Sequence, residues 1–447
     1  MSNKEGGLSA PIRHAIDWKN PDFYNEEILD EELRRVFDIC HGCRRCFNLC
    51  ESFPKLFDFI DESDSGELDS VNSKDFKEVV DACTLCDMCY MTKCPYVPPH
   101  EFNLDFPHLM LRYRAMERNK KKNSLVDDQL KETDRNGKFF SKFSKVVNWS
   151  TSNKNKLTRP VMEKFLKIDK EAELPKYYGN TFKNSSIPQP KKIDFKDKVA
   201  LFPTCFVNYN NPGIGEIVLK LFEKLNVNSK IFYEGCCGMP QLESGDIDAV
   251  SRKATSISLA AKSLIDEGYK IISVVPSCTL MLKYEWPLIL PNDKHVKLLS
   301  ENTLDICEYV VNYFRTNDVE SVIPEWTSDD GVTIHISCHS RAQNIGQKAA
   351  EMLKIIPSLK VDVIERCSGH GGAWGIKKNN FEMALKVGKP VARKVVSYKN
   401  KILVSECPLA GVHIKQGIEK IDKNFKQTVY GHPIEIIAKA LGIQSET

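Results

Sequence analysis

The stretch that decides the architecture is "CHGCRRCFNLC", residues 40–50, which places Cys40, Cys43, Cys46 and Cys50 on one short run. A second run, "CTLCDMCYMTKC", follows at residues 83–94 and carries Cys83, Cys86, Cys89 and Cys94. Their spacings are C-x2-C-x2-C-x3-C and C-x2-C-x2-C-x4-C-P. Three thiolates two residues apart on a tightly turning chain reach three corners of one iron–sulfur cubane. The fourth overshoots to the neighbouring cluster, as in two-cluster ferredoxins. The spacing therefore predicts two [4Fe-4S] clusters with crossed ligation. Cys40, Cys43, Cys46 and Cys94 hold one; Cys83, Cys86, Cys89 and Cys50 hold the other. Pro95 follows Cys94 as that pattern expects, whereas Glu51 stands in the corresponding place after Cys50. Zinc also takes four thiolates. Zinc modules, however, pair two C-x2-C knuckles, and a third equally spaced cysteine in both runs has no use there. Two clusters so close in sequence predict a wire for electrons rather than a reaction centre.

Outward from these runs, the chain of 447 residues is longer than one hydrophobic core usually serves. Its 42% hydrophobic and 28% charged residues are ordinary for a globular protein, and a net charge of +3 makes no case for nucleic acid. The polar start "MSNKEGGLSAPIRHAIDWKN" has no apolar core, and no long apolar run follows elsewhere, so a soluble, intracellular protein is expected. In a reducing compartment, 16 cysteines mean metal or redox chemistry rather than disulfide staples.

Three textures divide the chain. Residues 26–118 hold both runs between helical patterns. Leu29, Leu33, Val36 and Phe37 keep helical spacing up to Cys40, and Phe76, Val79 and Val80 do so up to Cys83, with Ser73 as the expected N-cap. Leu109, Met110, Tyr113 and Met116 close the region with a third helix. Residues 119–195 are lysine- and asparagine-rich, contain amphipathic pieces such as "RPVMEKFLKI", and end in a linker-like "NSSIPQPKKIDF". The basic run Arg112, Arg114, Arg118, Lys120, Lys121 and Lys122 reads as a solvated helix end, with docking of an acidic partner or anionic lipid as the alternative.

Residues 197–325 and 330–442 read as two copies of one α/β unit. Six apolar segments, "KVALFPTC", "KIFYEGCCG", "KIISVVPSC", "GVTIHISC", "KVDVIERCSG" and "KILVSEC", alternate with helical patterns, which predicts parallel sheets. The strand-end cysteines Cys205, Cys236 and Cys278 are separated by 31 and 42 residues; Cys338, Cys367 and Cys407 are separated by 29 and 40. That agreement marks a repeat. Ligands of such sheets bind beyond the carboxyl ends of the strands, where all six thiols fall. Cys307, inside "LDICEYVVNYF", reads as core.

The two runs set behind helices resemble the α-helical ferredoxin module of the succinate dehydrogenase iron–sulfur subunit. "YEGCCGMPQLESGD" resembles the cysteine-rich CCG domain found in the B subunit of heterodisulfide reductase. Together with "PSCTLMLKYEWP", "ISCHSRAQNIG" and "CSGHGGAWGIK", the order from about residue 30 onward resembles the C-subunit family of anaerobic glycerol-3-phosphate dehydrogenases. The resemblance implies an N-terminal α-helical two-cluster ferredoxin domain followed by two α/β CCG units. It also implies a cytoplasmic electron carrier, peripheral to the inner membrane. Such a carrier passes electrons between a flavoprotein dehydrogenase, of glycerol-3-phosphate or related 2-hydroxy-acid type, and a quinone or other acceptor. Carried over by residue, it implies a further, noncubane-type cluster on Cys205, Cys236, Cys237 and Cys278, with Met281 where a fifth thiol would stand. The second unit keeps Cys338, Cys367 and Cys407, but has Ser368 in place of the second thiol of the pair and Ala410 where the last C-x2-C would close. Either a metal group is held there, with help from His339 or His370, or the site is a vestige.

Two other functions compete. One is a thiol–disulfide reductase acting at the CCG cluster; the other is a zinc scaffold. A variant of the carrier reading feeds a cytosolic oxidant-scavenging protein instead of quinone. Neither "CSGHGGAWG" nor "GIGEIVLK" follows the dinucleotide rule, so flavin or NAD is expected on a partner. Glu234, Glu365 and Glu406, just before strand-end cysteines, are expected to tune charge or cap helices. The C-terminal stripe Ile434, Ile437, Ala440 and Leu441 is expected to pack in the core, with membrane contact as the alternative.

Overall fold

The computed structural model describes residues 11–120, 125–185, 197–319, 323–425, 428–429 and 431–443. Most of the expected linker, and Lys121 and Lys122 of the basic run, lie outside them.

The first region is helical: α1 (Glu26–Cys43), α2 (Ser52–Asp61), α3 (Phe76–Ala82), α4 (Met88–Thr92) and α5 (Phe106–Lys120). Their apolar stripes meet as predicted. Leu29, Leu33, Val36 and Phe37 of α1 are buried against Phe53, Phe76 and Phe106, with the Phe37 and Phe76 rings edge to face at 5.0 Å. Ser73 is not a cap. Asp75 occupies that position without a side-chain bond, and the Ser73 hydroxyl instead accepts from Arg34 of α1 at 2.6 Å. The connector adds α6 (Leu125–Leu130), α7 (Thr133–Lys142), α8 (Ser144–Thr151) and α9 (Thr158–Leu166).

Two four-stranded sheets follow. β1 (Asp197–Phe202), β2 (Val227–Ile231), β3 (Lys270–Ser273) and β4 (Thr303–Asp305) are ordered β2-β1-β3-β4. β5 (Val332–His335), β6 (Val361–Ile364), β7 (Ile402–Ser405) and β8 (Thr428–Val429) are ordered β6-β5-β7-β8. All pairings are parallel, and the two orders are the same path drawn twice. The repeat read from cysteine intervals is thus a repeat of topology. The expected six strands omit β4 and β8, edge strands of three and two residues too short to carry a period. The central strands are buried on both faces, as flanking helices require: Val199, Leu201, Val332 and Ile334 have no exposed surface, and the polar Thr333 is buried with them.

Two large cores tie these pieces together. One joins the helical region to the first α/β unit, with Phe37, Phe106, Met281 and Trp286 in a single buried cluster. The other runs between the sheets, from Val199 and Leu201 to Ile334, Val404 and Ile434. The C-terminal helix Ile434–Ala440 buries Ile434, Ile437 and the following Leu441 in that second core.

The three arginines of the basic run are not a solvated face, whereas Lys120 at the end of α5 is exposed. Arg112 donates to the carbonyls of Asp22 and Phe23, both at 2.8 Å, and Arg118 pairs with Asp128 and Asp246. Arg114 donates to the carbonyls of Val80, Cys83 and Glu243. α5 is therefore a clasp between the cysteine loops and the first α/β unit.

Candidate functional site

The first run ends α1. Arg44 takes a left-handed φ of 52° and its N–H closes on the Cys40 carbonyl at 2.8 Å, turning the chain so that Cys46 returns towards Cys40 and Cys43. The second run turns at Leu85 (φ 48°) and Asp87 (φ 62°), either side of Cys86. Left-handed backbone at Leu and Asp costs roughly 1–3 kcal/mol each and persists only where surrounding structure enforces it. Here Arg13 enforces it. Its guanidinium bonds to both Asp87 carboxylate oxygens at 2.9 and 3.0 Å, and also reaches Asp105 and Glu285.

The thiols fall into four groups. Burial, then neighbouring Cys94, Cys46 and Cys43, push the Cys40 thiol up, so these four share one neighbourhood. Cys89 is pushed up by burial and then by Cys86, Cys83, Cys46 and Cys50. Cys50, Cys83, Cys86 and Cys89 line one cavity of about 20 Å³, walled by Leu49, Phe53, Met88 and Phe106. Cys40, Cys43, Cys46 and Cys94 are thus near one another, and so are Cys50, Cys83, Cys86 and Cys89. Burial and Cys367 push Cys86 up to about 12, and Cys338 has Cys86, Cys367 and Cys407 around it. The second α/β unit thus sets Cys338 and Cys367 beside Cys86 of the second run. Burial raises Cys407 to about 11, and Cys278 of the first unit is among its neighbours.

The six α/β-unit positions lie past the strand ends, on loops and helix starts. Cys205 is in the helix Thr204–Tyr209, Cys236 and Cys237 lie between Gly235 and Gly238, and Cys278 is in the helix Pro276–Leu280. Cys205 Sγ is 3.8 Å from Cys236 Sγ, and Cys237 Sγ is 3.1 Å from Cys278 Sγ. Met281 and Ala410, at the positions lacking thiols, are buried apolar contacts. His339 Nε2 lies 3.4 Å from the Leu85 carbonyl oxygen, while the His370 ring sits 6.2 Å from that of His413.

The sulfurs are built as acceptors. The amide two residues on works to lower the thiol at Cys50 (Ser52), Cys83 (Leu85), Cys86 (Met88) and Cys94 (Tyr96), against the larger effect of burial. The corresponding amide bonds to sulfur at Cys236 (from Gly238, 3.5 Å) and Cys367 (from Gly369, 3.4 Å). Cations lie alongside: Arg45 and Lys93 at Cys46, Arg114 at Cys83, Arg341 and Arg366 at Cys367. Cys307 is buried in a helix, and burial followed by the nearby Asp305 and Glu406 carboxyls pushes its thiol up. Aimed amides, nearby cations and an apolar shell suit anionic sulfur on a metal cluster. The residues present therefore fit iron–sulfur groups.

Sequence reasoning missed one supporting residue, Asp134, and picked out another, Glu406, without its partners. Asp134 of α7 accepts from the Cys236 amide at 2.6 Å and from the Tyr233 hydroxyl, bringing the connector into the first unit's thiol site. Glu406 is buried and accepts from the Ser337 amide at 2.9 Å and the Ser340 hydroxyl at 2.8 Å, fixing the helix start that carries Cys338. Burial pushes its carboxyl up to about 8. Its place just before Cys407 was the signal; its partners, nearly seventy residues away, were not legible. Glu234 and Glu365 are exposed.

The family model for the cysteine-rich CCG domain matches residues 199–283 and 332–415. The C subunit of anaerobic glycerol-3-phosphate dehydrogenase from Escherichia coli K12 is 28% identical over 324 residues, 71% of this chain and 78% of that protein. The B subunit of the CoM/CoB fumarate reductase of Methanothermobacter marburgensis is 28% identical over 229 residues, covering 50% of this chain and 42% of its own length. Lactate utilization protein A of Bacillus velezensis is 27% identical over 190 residues, 40% of this chain and 75% of that protein. With two parallel sheets of one topology and the thiols beyond their strand ends, the chain carries two cysteine-rich CCG domains and is homologous to these three proteins.

Proposed function

We propose that this chain is the iron–sulfur electron-transfer subunit of an oxidoreductase complex, carrying electrons between a flavoprotein dehydrogenase and a quinone or other acceptor. The relatives named above support the class. The observation that carries the reading is the continuous string of grouped, mostly buried thiols. Cys46 neighbours Cys89, Cys86 neighbours Cys338 and Cys367, and Cys407 neighbours Cys278. Cys40, Cys43, Cys46 and Cys94 would hold one [4Fe-4S] cluster, and Cys50, Cys83, Cys86 and Cys89 a second. Cys205, Cys236, Cys237 and Cys278 would hold a further group, with Cys338, Cys367 and Cys407 as the link. Bound clusters supply one-electron carriers whose potentials follow sulfur hydrogen bonding and charge. The chain's own part is to aim amides at sulfur, hold cations beside it and keep water out with Phe53, Met88 and Phe106. The proposed location is cytoplasmic, at the inner membrane face; among the described residues no helix is long and apolar enough to cross a membrane.

Anaerobic purification followed by iron, acid-labile sulfide and low-temperature EPR measurement tests this. About eight or more irons per chain are expected, with one cluster signal lost in Cys86→Ser. Colourless material holding zinc and no sulfide would defeat the reading.

A further inference from the structure

The connector exposes large apolar side chains that, among the described residues, no apolar side chain from outside the connector covers. Phe139 of α7, Phe143 at its end, Val146 and Trp149 of α8, and Val161 and Phe165 of α9 are all exposed, and Leu157 just before α9 reaches 77%. Leu157, Val161 and Phe165 follow one another at helical i, i+4 spacing, so they form one stripe. A soluble surface seldom gathers this many large side chains together.

The hairpin beneath is firmly built. Arg159, 1% exposed, donates to the carbonyls of Thr151 (3.1 Å), Asp169 (2.5 Å), Lys170 (3.1 Å) and Ala172 (2.8 Å), locking α8, α9 and the chain that follows. Thr158 Oγ1 adds a bond to the Ser150 carbonyl. The outward apolar stripe is therefore held in place, not a frayed edge.

Charge identifies what covers it. Lys138, Lys142, Lys145, Lys154, Lys156, Lys164 and Lys167 are exposed on the same three helices and their ends. Among the described residues none of the seven makes an ion pair. Phe, Trp and Leu interleaved with unpaired lysine is the composition of helices that lie in a membrane interface. Two copies of this face would bring like charges together, which disfavours self-association.

We propose that α7–α9 lie in the plane of an anionic bilayer, with the apolar stripe among the acyl chains and the lysines at the phosphate level. This deepens the peripheral placement proposed above and gives it a surface. It also places the first CCG unit's thiols beside the lipid. Thr133 and Asp134, at the start of α7, touch Cys205 and Cys236, and the Phe140 ring stands 5.3 Å from that of Tyr177, itself a neighbour of Cys205. The end of the sulfur string nearest the membrane is then the first CCG unit, where a lipid-soluble acceptor would arrive.

The test uses the full chain with vesicles of phosphatidylcholine alone, or phosphatidylcholine with phosphatidylglycerol in roughly equal parts. Co-sedimentation with the anionic vesicles, weakened by salt, is expected. Lys145→Glu/Lys154→Glu/Lys156→Glu should lower partitioning by about a hundredfold, and Phe143→Glu/Trp149→Glu/Phe165→Glu at least as much, each with unchanged iron content and thermal unfolding. Lipids brominated on the acyl chain should quench tryptophan fluorescence, and Trp149→Phe should remove that quenching. Equal binding to both vesicle types, or binding retained by the triple glutamate variants, overturns the proposal. So does a dimer in solution that the Phe143/Trp149/Phe165 variant converts to monomer without any vesicle binding. Iron-free or zinc-loaded material that still binds vesicles would sink the electron-carrier reading and leave this one standing.

Discussion

At the scale of single residues, the sixteen cysteines are of two kinds, and their immediate surroundings separate them. Cys86 lines the apolar cavity and neighbours other thiols, Cys83 and Cys367 among them. Cys307 packs in a helix of the second core. Cys307→Ala should cost about 1 kcal/mol of stability and leave iron content unchanged, measured on the same preparation as Cys86→Ser. Reading Cys307 as core needed only its helical context. The amides at the other sulfurs depend on turns that no propensity foretells. A buried imidazole supplies a pH test. Burial pushes His432 down from 6.5 to about 3, so as pH falls the unfolded chain takes up the proton first. Stability should therefore decline between about pH 6.5 and 3, by about 1.4 kcal/mol per pH unit from this group. Denaturant titrations of His432→Asn should show that much less acid sensitivity. An equal slope would mean that the ring is already accessible to protons.

At the scale of elements, glycine accounts for a motif that breaks the dinucleotide rule. The glycines of "CSGHGGAWG" serve close approach: a Cβ on Gly369 would come 2.0 Å from the Ala384 carbonyl oxygen. The loop after Cys367 lies on the helix Phe381–Tyr398, where a Cβ on Gly388 would come 2.2 Å from the Ser368 carbonyl oxygen. Gly388→Ala should push that loop off the helix, costing about 3 kcal/mol and disturbing any signal that depends on Cys367. Gly42, one residue before Cys43 on α1, makes the contrast, because a Cβ there would meet nothing within 4 Å. Gly42→Ala should raise stability by about 0.5–1 kcal/mol; thermal unfolding of the two variants checks the pair. The helices α1, α3 and α5 were legible because their apolar periodicity is long. β4 and β8 were not, because edge strands this short have no period to read.

At the scale of the whole molecule, a few charges hold the regions in register. Arg13 joins Asp87 of the second run, Asp105 before α5 and Glu285 of the first CCG unit, all from a segment that precedes α1. Burial alone would raise Asp105, but Arg13 and His108 hold its carboxyl down at about 2. Arg13→Met would leave three carboxylates facing one another in a buried site. A loss of about 3–5 kcal/mol is expected in urea unfolding, together with altered EPR from the group that includes Cys86. The first CCG unit packs directly on the second cysteine run, while the thiols of the second unit, short in number, neighbour Cys86 of that run on one side and Cys278 of the first unit on the other. Cys367→Ser should leave the N-terminal groups reducible while slowing onward transfer by at least about tenfold, measured by rapid-mixing reduction. Unchanged transfer would show that electrons bypass this unit.

Local chemistry was written in the chain itself. Equal cysteine spacing suits the corners of a cubane, and paired intervals between strand-end thiols disclose a duplicated α/β unit, because both are short-range regularities. Only the tertiary structure decided that thiols of the incomplete second unit neighbour both Cys86 and Cys278, that three arginines of a basic run form a clasp, and that an amphipathic connector turns its apolar stripe outward. Those outcomes depend on which surfaces meet across a hundred or more residues, and no local period encodes that choice.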